Sequence, residues 1–176
     1  LLLAKYDVIA SKAHCKMLYA IGLLSEAEQT ALLTELDGIG QSIEAGRFTI
    51  EDSFEDMHSK IEYLLIEKLG DTGKKIHTAR SRNDQVLVAL QLYVKEELTT
   101  IKGMVLELFD VLLGLAEQHK AVLLPGYTHL QVAMPSSFGL WFGAYAEALA
   151  DDLNILKSAF ELVNRNPLGS AAGYGS

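Results

Sequence analysis

The densest group of directional polar side chains in the sequence is the stretch 77–84, His-Thr-Ala-Arg-Ser-Arg-Asn-Asp. It follows a glycine-containing break at 70–73 and opens a long apolar helix pattern. Arginines, hydroxyls and an amide at a helix start suit a carboxylate or phosphate ligand, because free N–H groups and partial positive charge lie there. The alternative is a capping cluster, with Ser81, Asn83 or Asp84 as the N-cap and the arginines solvated or paired with acids. The residue types alone leave both interpretations open.

Two histidines are candidates for proton transfer or substrate contact. His129 follows Thr128 in a glycine-containing connection, and an imidazole can give and take a proton near neutral pH. Thr128 and Gln131 could orient it or bind substrate, whereas a loop histidine bonded to backbone is the alternative. His58 follows acids at positions 55 and 56, so a carboxylate could orient its ring. Acids at a helix start also complement the helix dipole, which is the alternative there.

The composition favours a helical globular protein. Hydrophobic residues make up 49% of the 176 residues and charged residues 22%, with only three prolines. The net charge of -8 argues against general nucleic-acid binding, which needs a basic face. The single cysteine, Cys15, excludes an internal disulfide and suits a reducing compartment. No Cys/His cluster has the spacing of metal ligands, so no metal site is predicted.

Apolar residues at helical spacing predict a series of helices joined by short links. Ser25 with Glu28 forms a capping-box signature. Glycines are placed to end the early helices, and Pro135 is predicted as the first residue of the last helix, after a connection over 120–134. The predicted helices cover about 2–21, 25–45, 53–69, 82–119 and 135–163.

The later helices are too apolar for a chain of this size to bury alone. Residues 104–116 are apolar almost all round the helix, so partner helices from other subunits are implied. A membrane span over 132–150 is disfavoured, because Pro135 and Glu147 interrupt it and no Lys or Arg flanks it. If Glu147 is buried in such a bundle it needs a partner, and its structural or functional role is open.

Several stretches together resemble argininosuccinate lyase, a member of the fumarase/aspartase superfamily. The resemblance covers essentially the whole chain, and the run 73–86 is highly specific for this enzyme within the superfamily. The matching stretches, in the family's order, are Asp56-Met57-His58, the run 73–86 around Arg80-Ser81-Arg82-Asn83-Asp84, the run 124–131 around Thr128-His129-Leu130-Gln131 followed by Ala133-Met134-Pro135, and Asn166-Pro167-Leu168-Gly169.

The resemblance implies an all-α fold, a long-helix bundle of the fumarase/aspartase type. Residues 1–80 would form the N-terminal helical domain, and 81–176 the first part of the central helical-bundle domain. The resemblance also implies a cytoplasmic homotetramer with active sites shared between subunits, cleaving argininosuccinate to arginine and fumarate without metal or cofactor. No nucleic-acid or membrane partner is expected.

The resemblance also assigns roles residue by residue. His129 corresponds to the family's acid/base histidine, acting as either base or acid. Substrate is expected to contact Ser81, Arg82, Asn83, Thr128 and His58, with the first three holding the fumarate-side carboxylates. The family usually has glycine where this chain has Ala79.

The family's mobile loop with a catalytic serine is expected beyond Ser176, and a substrate-binding segment is expected upstream of Leu1. The chain is therefore interpreted as a fragment truncated at both ends and is expected to be inactive alone. The rivals are another lyase such as adenylosuccinate lyase or aspartase, a catalytically silent structural protein like the lens crystallins, and a helical oligomerisation module.

Overall fold

The computed structural model describes residues 1–167 and confirms the all-α fold, with one small hairpin inserted between the last helices. The motif residues Leu168 and Gly169, with the glycine-rich terminus after them, lie outside the described residues. The elements are α1 (Ala4–Ala20), α2 (Glu26–Glu44), α3 (Met57–Leu69), α4 (Asp71–Lys74), a 3-10 turn (Lys75–His77), α5 (Arg82–Gln118), β1 (Leu123–Thr128), β2 (Gln131–Ser137) and α6 (Phe138–Val163).

The helix starts follow from local capping. The predicted capping box is present: Ser25 Oγ accepts from the Glu28 backbone N–H, and the Glu28 carboxylate accepts from the Ser25 N–H at 2.9 Å. Helix α3 begins at Met57, later than predicted, because Asp56 is its N-cap. The Asp56 carboxylate accepts from the Ser59 N–H at 2.7 Å, which satisfies a backbone donor at the helix start.

The connection over 120–134 is not a simple loop, and the prediction that Pro135 opens the last helix is wrong. Strands β1 and β2 pair antiparallel, with Pro125 opposite Pro135 and an irregularity between Pro125 and Tyr127. Proline lacks the N–H that a central strand donates, but in a two-stranded ribbon every strand is an edge and can accommodate it. Helix α6 starts after Ser137, whose hydroxyl accepts from the Leu140 N–H at 3.1 Å.

The chain divides into two compact units, Leu1–Val94 with Arg165–Ser176, and Lys95–Asn164. The predicted division of the fold at residue 80 stays a prediction. The first unit has its own apolar core of α1, α2 and α3 residues, with Leu18, Leu32 and Leu36 fully buried. Helix α4 lies so close to α3 that a Cβ on Gly73 would stand 2.3 Å from the Leu65 carbonyl oxygen.

The second unit buries little. Among the described residues of this unit only Ala146 is buried. Large apolar side chains lie in solvent on α5, on the hairpin and on α6, including Met104, Val132, Leu140 and Ile155. No helix within residues 1–167 combines the length and the apolar character that a membrane crossing requires.

Candidate active site

The segment that opens α5 is a helix start with accessible polar groups. Ser81 Oγ accepts from the Asn83 backbone N–H at 3.3 Å, so part of the predicted capping role is observed. Ser81 and Arg82 are half-buried and Asn83 is exposed. Ala79, just before them, has a φ of 54°, in the left-handed region that a Cβ disfavours. The segment therefore presents an amide and a hydroxyl at a helix N-terminus after a strained backbone position.

Arg82 is held by polar partners on two helices. Its Nη2 lies 3.1 Å from Glu62 Oε2, and its Nη1 donates to Gln85 Oε1 at 3.3 Å. Asp56 Oδ1 is 4.0 Å from the same Nη1. The alternative in which arginine pairs with the chain's acids thus holds for Arg82, whose side chain is still 34% exposed. The pairing fixes the direction of the guanidinium and leaves part of it accessible.

Arg80 has a different role from Arg82, a distinction that the sequence does not reveal. It is 6% exposed and donates from Nη1 to Ser11 Oγ at 3.0 Å. Burial lowers the pKa of its guanidinium, while the negative charges of Asp7 and Asp84 oppose that shift. Arg80 therefore anchors the segment to α1 from inside the first unit.

His58 is fixed from α1 rather than by its neighbouring acids. The ring is 1% exposed, and its Nδ1 lies 2.9 Å from Asp7 Oδ1, although the angle departs from that of a well-formed hydrogen bond. Gln85 Nε2 donates to the same Asp7 oxygen at 2.7 Å. The contacts of Asp7 and Gln85 with the site residues were not predicted from the sequence. The sequence feature that could have indicated Asp7 is its position between Tyr6 and Val8, where a carboxylate interrupts the apolar stripe of the first helix.

His14 is a second buried histidine of the first unit. It is 4% exposed, and its Nε2 lies 2.9 Å from the Thr78 carbonyl oxygen. Burial lowers the pKa of the His14 imidazole, and the positive charge of Arg80 lowers it further. His14 thus ties α1 to the backbone just before Ala79.

The second unit carries His129 in the turn of the β1–β2 hairpin, where Thr128 pairs with Gln131. His129 and Leu130 have φ values of 51° and 64°, the positive-φ pattern of a type I′ turn. The His129 side chain is exposed, and within residues 1–167 its ring makes no hydrogen bond, so the backbone-bonded alternative is not observed. Thr128 is exposed as well. The predicted site residues Ser81, Arg82, Asn83 and His58 belong to the first unit.

Backbone strain coincides with both predicted site segments. In the part of the chain that the structure describes, the non-glycine residues with positive φ are Ala79, His129 and Leu130. Such conformations cost on the order of 1–2 kcal/mol for a residue with a Cβ. They persist where the surroundings impose them, and such positions cluster at functional sites. The strain marks the two segments independently of any motif.

Other polar groups define no further centre. Within residues 1–167, no group of three or more His, Cys, Asp or Glu side chains could hold a metal ion. Glu147 is exposed and lines an open cavity of about 720 Å³ with Glu117, Lys120 and Ser137.

Residues 2–176 match the family model described as Lyase. The chain belongs to this lyase family. The match covers both strained segments and the helices that carry them, and so includes all the site residues predicted above.

The argininosuccinate lyase of Phocaeicola vulgatus is 60% identical over 176 residues, which is 100% of this chain and 40% of that protein. The argininosuccinate lyase of Thermotoga neapolitana is 47% identical over 171 residues, covering 97% of this chain and 43% of the relative. The resemblance to argininosuccinate lyases is confirmed. The chain spans about 40% of the length of the curated relatives it matches.

Solved structures confirm the fold. An EDDS lyase variant with bound fumarate superposes with a TM-score of 0.84 at 25% identity, covering 99% of this chain and 34% of that one. A fumarate lyase:delta crystallin from Brucella melitensis gives a TM-score of 0.80 at 21% identity, over 98% of this chain and 43% of that one. The predicted long-helix bundle of the fumarase/aspartase type is therefore the observed fold class.

Proposed function

We propose that the full-length protein is an argininosuccinate lyase, cleaving argininosuccinate to arginine and fumarate in arginine biosynthesis in the cytoplasm. The observation that carries the proposal is the match, at 60% identity over all 176 residues, to a curated argininosuccinate lyase. The EDDS lyase variant that shares the fold has fumarate bound, which supports a fumarate-forming reaction.

The proposed chemistry is a β-elimination. A base removes the proton from the carbon next to a carboxylate, and the electrons are delocalised into that carboxylate. The bond to the guanidinium nitrogen then breaks, an acid protonates the departing nitrogen, and a carbon–carbon double bond forms in fumarate. His129 acts as one of the two proton-transfer groups, with Thr128 contacting the substrate. Its exposure and the absence of a hydrogen bond within residues 1–167 leave the imidazole available.

The first unit supplies the anion-binding side in this proposal. The substrate and the intermediate both carry carboxylates, so a guanidinium donor binds both, and the fixed N–H groups stabilise the extra negative charge that forms in the intermediate. Ser81, Arg82 and Asn83 lie at the helix N-terminus of α5, where backbone N–H groups add to their side chains. His58, held by Asp7, lines the same pocket.

The homotetramer with shared active sites belongs to the same proposal. The exposed apolar side chains of α5, the hairpin and α6 are what a helix bundle between subunits would bury. No metal or cofactor takes part in the proposed reaction. Because the chain spans 40% of the relative's length, we propose that it has no lyase activity by itself.

The test is fumarate release by the purified full-length protein, followed by ultraviolet absorbance, with argininosuccinate and adenylosuccinate supplied in parallel. We expect the protein to cleave argininosuccinate and not adenylosuccinate. Turnover of adenylosuccinate instead would identify the other lyase, and no turnover of either would favour a silent structural protein. Activity of residues 1–176 alone would contradict the proposal that the chain is inactive by itself.

A further inference from the structure

A buried polar chain links two of the proposed substrate-binding residues through α1. Asp7 has no exposed surface. Its Oδ1 lies 2.9 Å from His58 Nδ1 and accepts a hydrogen bond from Gln85 Nε2 at 2.7 Å. Gln85 in turn accepts from Arg82 Nη1 at 3.3 Å. The order of contacts is therefore His58, Asp7, Gln85, Arg82, all within the first unit.

We propose that Asp7 is a positioning residue for the proposed elimination, holding His58 directly and Arg82 through Gln85. This inference rests on the proposed function. Asp7 touches no part of the accessible surface, so its influence on a substrate passes through the two residues it holds. In this proposal α1 contributes a positioning residue to the site in addition to its packing in the core.

For His58, the carboxylate selects the tautomer. A carboxylate only accepts hydrogen bonds, so the 2.9 Å contact with Asp7 favours the tautomer with the proton on Nδ1. In the neutral ring the other nitrogen, Nε2, is then an acceptor. Within residues 1–167 this buried Nε2 makes no hydrogen bond. An unpaired buried polar atom is costly, so this acceptor needs a partner, which in the proposed site would be the substrate or a water.

For Arg82, the chain fixes the orientation of a neutral partner. Because Gln85 Nε2 donates to Asp7, its Oε1 is turned toward the guanidinium, and the flipped amide would place a donor against a donor. Glu62 and Asp56 also draw Arg82 toward α3. Gln85 accepts from the guanidinium as a third partner and, unlike Glu62 and Asp56, adds no negative charge. The guanidinium therefore keeps more of its attraction for a substrate carboxylate.

The kinetic test compares matched acid-to-amide changes in the full-length protein. Asp7→Asn keeps the shape but replaces the carboxylate with a neutral amide that has only one acceptor oxygen, and Asp37→Asn does the same at an exposed acid that pairs with Lys12 outside the site. For Asp7→Asn we expect kcat/KM for argininosuccinate to fall about 10- to 100-fold, the usual effect of losing a partner that orients a functional histidine. Asp37→Asn should match the wild type. Equal kinetics for the two folded variants would overturn the proposal.

A second variant separates the two arms of the chain. Gln85→Met has a similar length and cannot hydrogen-bond to Arg82 or Asp7. It should raise KM while leaving kcat within about twofold, because it disturbs carboxylate binding and not the proton-transfer group. A merely structural network would lower the melting temperature of both variants without this split. Unchanged KM in folded Gln85→Met would overturn the link to Arg82.

A spectroscopic measurement tests the His58 tautomer in the wild-type chain without any measurement of activity. In the chain labelled with ¹⁵N-histidine, the His58 ring nitrogens should report a proton fixed on Nδ1, with His58→Gln used only to assign the signals. A proton on Nε2 would overturn the proposal. If the wild-type full-length protein does not cleave argininosuccinate, the proposed function fails, while the tautomer still decides whether Asp7 positions His58.

Discussion

The two compact units differ in what they bury. Asp7, His58, Asp84 and Gln85 are each no more than 2% exposed in the first unit, alongside a continuous apolar core. The second unit buries Ala146 alone among its described residues and leaves leucines, a tryptophan and two isoleucines in solvent. The first unit thus has its own buried interior, whereas the second leaves most of its apolar side chains exposed. The residues proposed to bind carboxylates belong to the first unit, and the histidine proposed to transfer a proton belongs to the second.

The largest expected effect tests the exposed histidine. His129→Asn in the full-length protein should reduce fumarate release by about 10²- to 10⁴-fold, the usual contribution of a general acid or base. His119→Asn, at a helix end of the same unit, is the matched control and should retain activity. Activity is measured as kcat with saturating argininosuccinate. Wild-type turnover in His129→Asn would remove the second unit's proposed role in proton transfer.

Core truncations test the contrast in burial directly. Leu36→Ala in the first unit removes a fully buried side chain and should lower the free energy of unfolding of the chain by about 2–5 kcal/mol. Leu140→Ala in the second unit removes a side chain that is 69% exposed and should change it by less than about 0.5 kcal/mol. Urea titration followed by circular dichroism measures both. Similar losses of unfolding free energy in the two variants would show that the two units do not differ in how much their apolar side chains stabilise the fold.

In the full-length protein the Leu140 result should change, because the proposed tetramer covers this surface. There Leu140→Ala should weaken association, seen as a lower mass in light scattering at low protein concentration. A monomeric wild-type protein would contradict the covered-surface interpretation.

Relief of strain gives a smaller effect of opposite sign. Ala79 has a φ of 54°, so Ala79→Gly should raise the free energy of unfolding by about 1 kcal/mol. The same change in the middle of α1, Ala13→Gly, should lower it by about 1 kcal/mol, because glycine is a poor helix former. Thermal unfolding of the two variants distinguishes them. Destabilisation by both would mean that Ala79 is not strained in solution.

The smallest effect concerns the helix cap of α2. The Lys75 ammonium, followed by the Ser25 backbone N–H, lowers the pKa of Glu28 to about 2. A carboxyl with a lowered pKa stabilises the folded state above its unfolded pKa, and this stabilisation is lost as pH falls through the folded value. The melting temperature of Glu28→Gln should therefore lie below wild type at neutral pH and converge with it near pH 2. Glu26→Gln, on the same turn without the capping bonds, should show a smaller gap at neutral pH.

Features set by neighbouring residues were predictable from the sequence. The Ser25–Glu28 box and the start of the long helix depend on residues a few positions apart, so the pattern contained them. The hairpin was missed because the stretch around Pro125 and Pro135 shows no clear alternation, and proline at a helix start is the commoner interpretation.

Features set by distant residues were not predictable. His58 has two acids beside it in the sequence, yet the carboxylate that reaches its ring belongs to Asp7 on another helix. Arg80 and Arg82 differ only in the direction in which the chain turns them, one to Ser11 inside and one to Glu62 at the surface. The motif resemblance identified the segments that carry the site residues. Their buried partners on α1 depend on how the helices pack, which the spacing of residues along the sequence does not show.

At the hairpin turn of His129 and Leu130, the residues that would make the turn most stable are not the residues that the proposed activity needs. Asn-Gly is the preferred pair for a type I′ turn, and Leu130 is 98% exposed at a backbone conformation that leucine disfavours. Replacing the pair with Asn-Gly would give a more stable hairpin without the imidazole. Selection for stability alone would therefore favour loss of the proposed acid/base group, so a histidine at this turn fits selection for function.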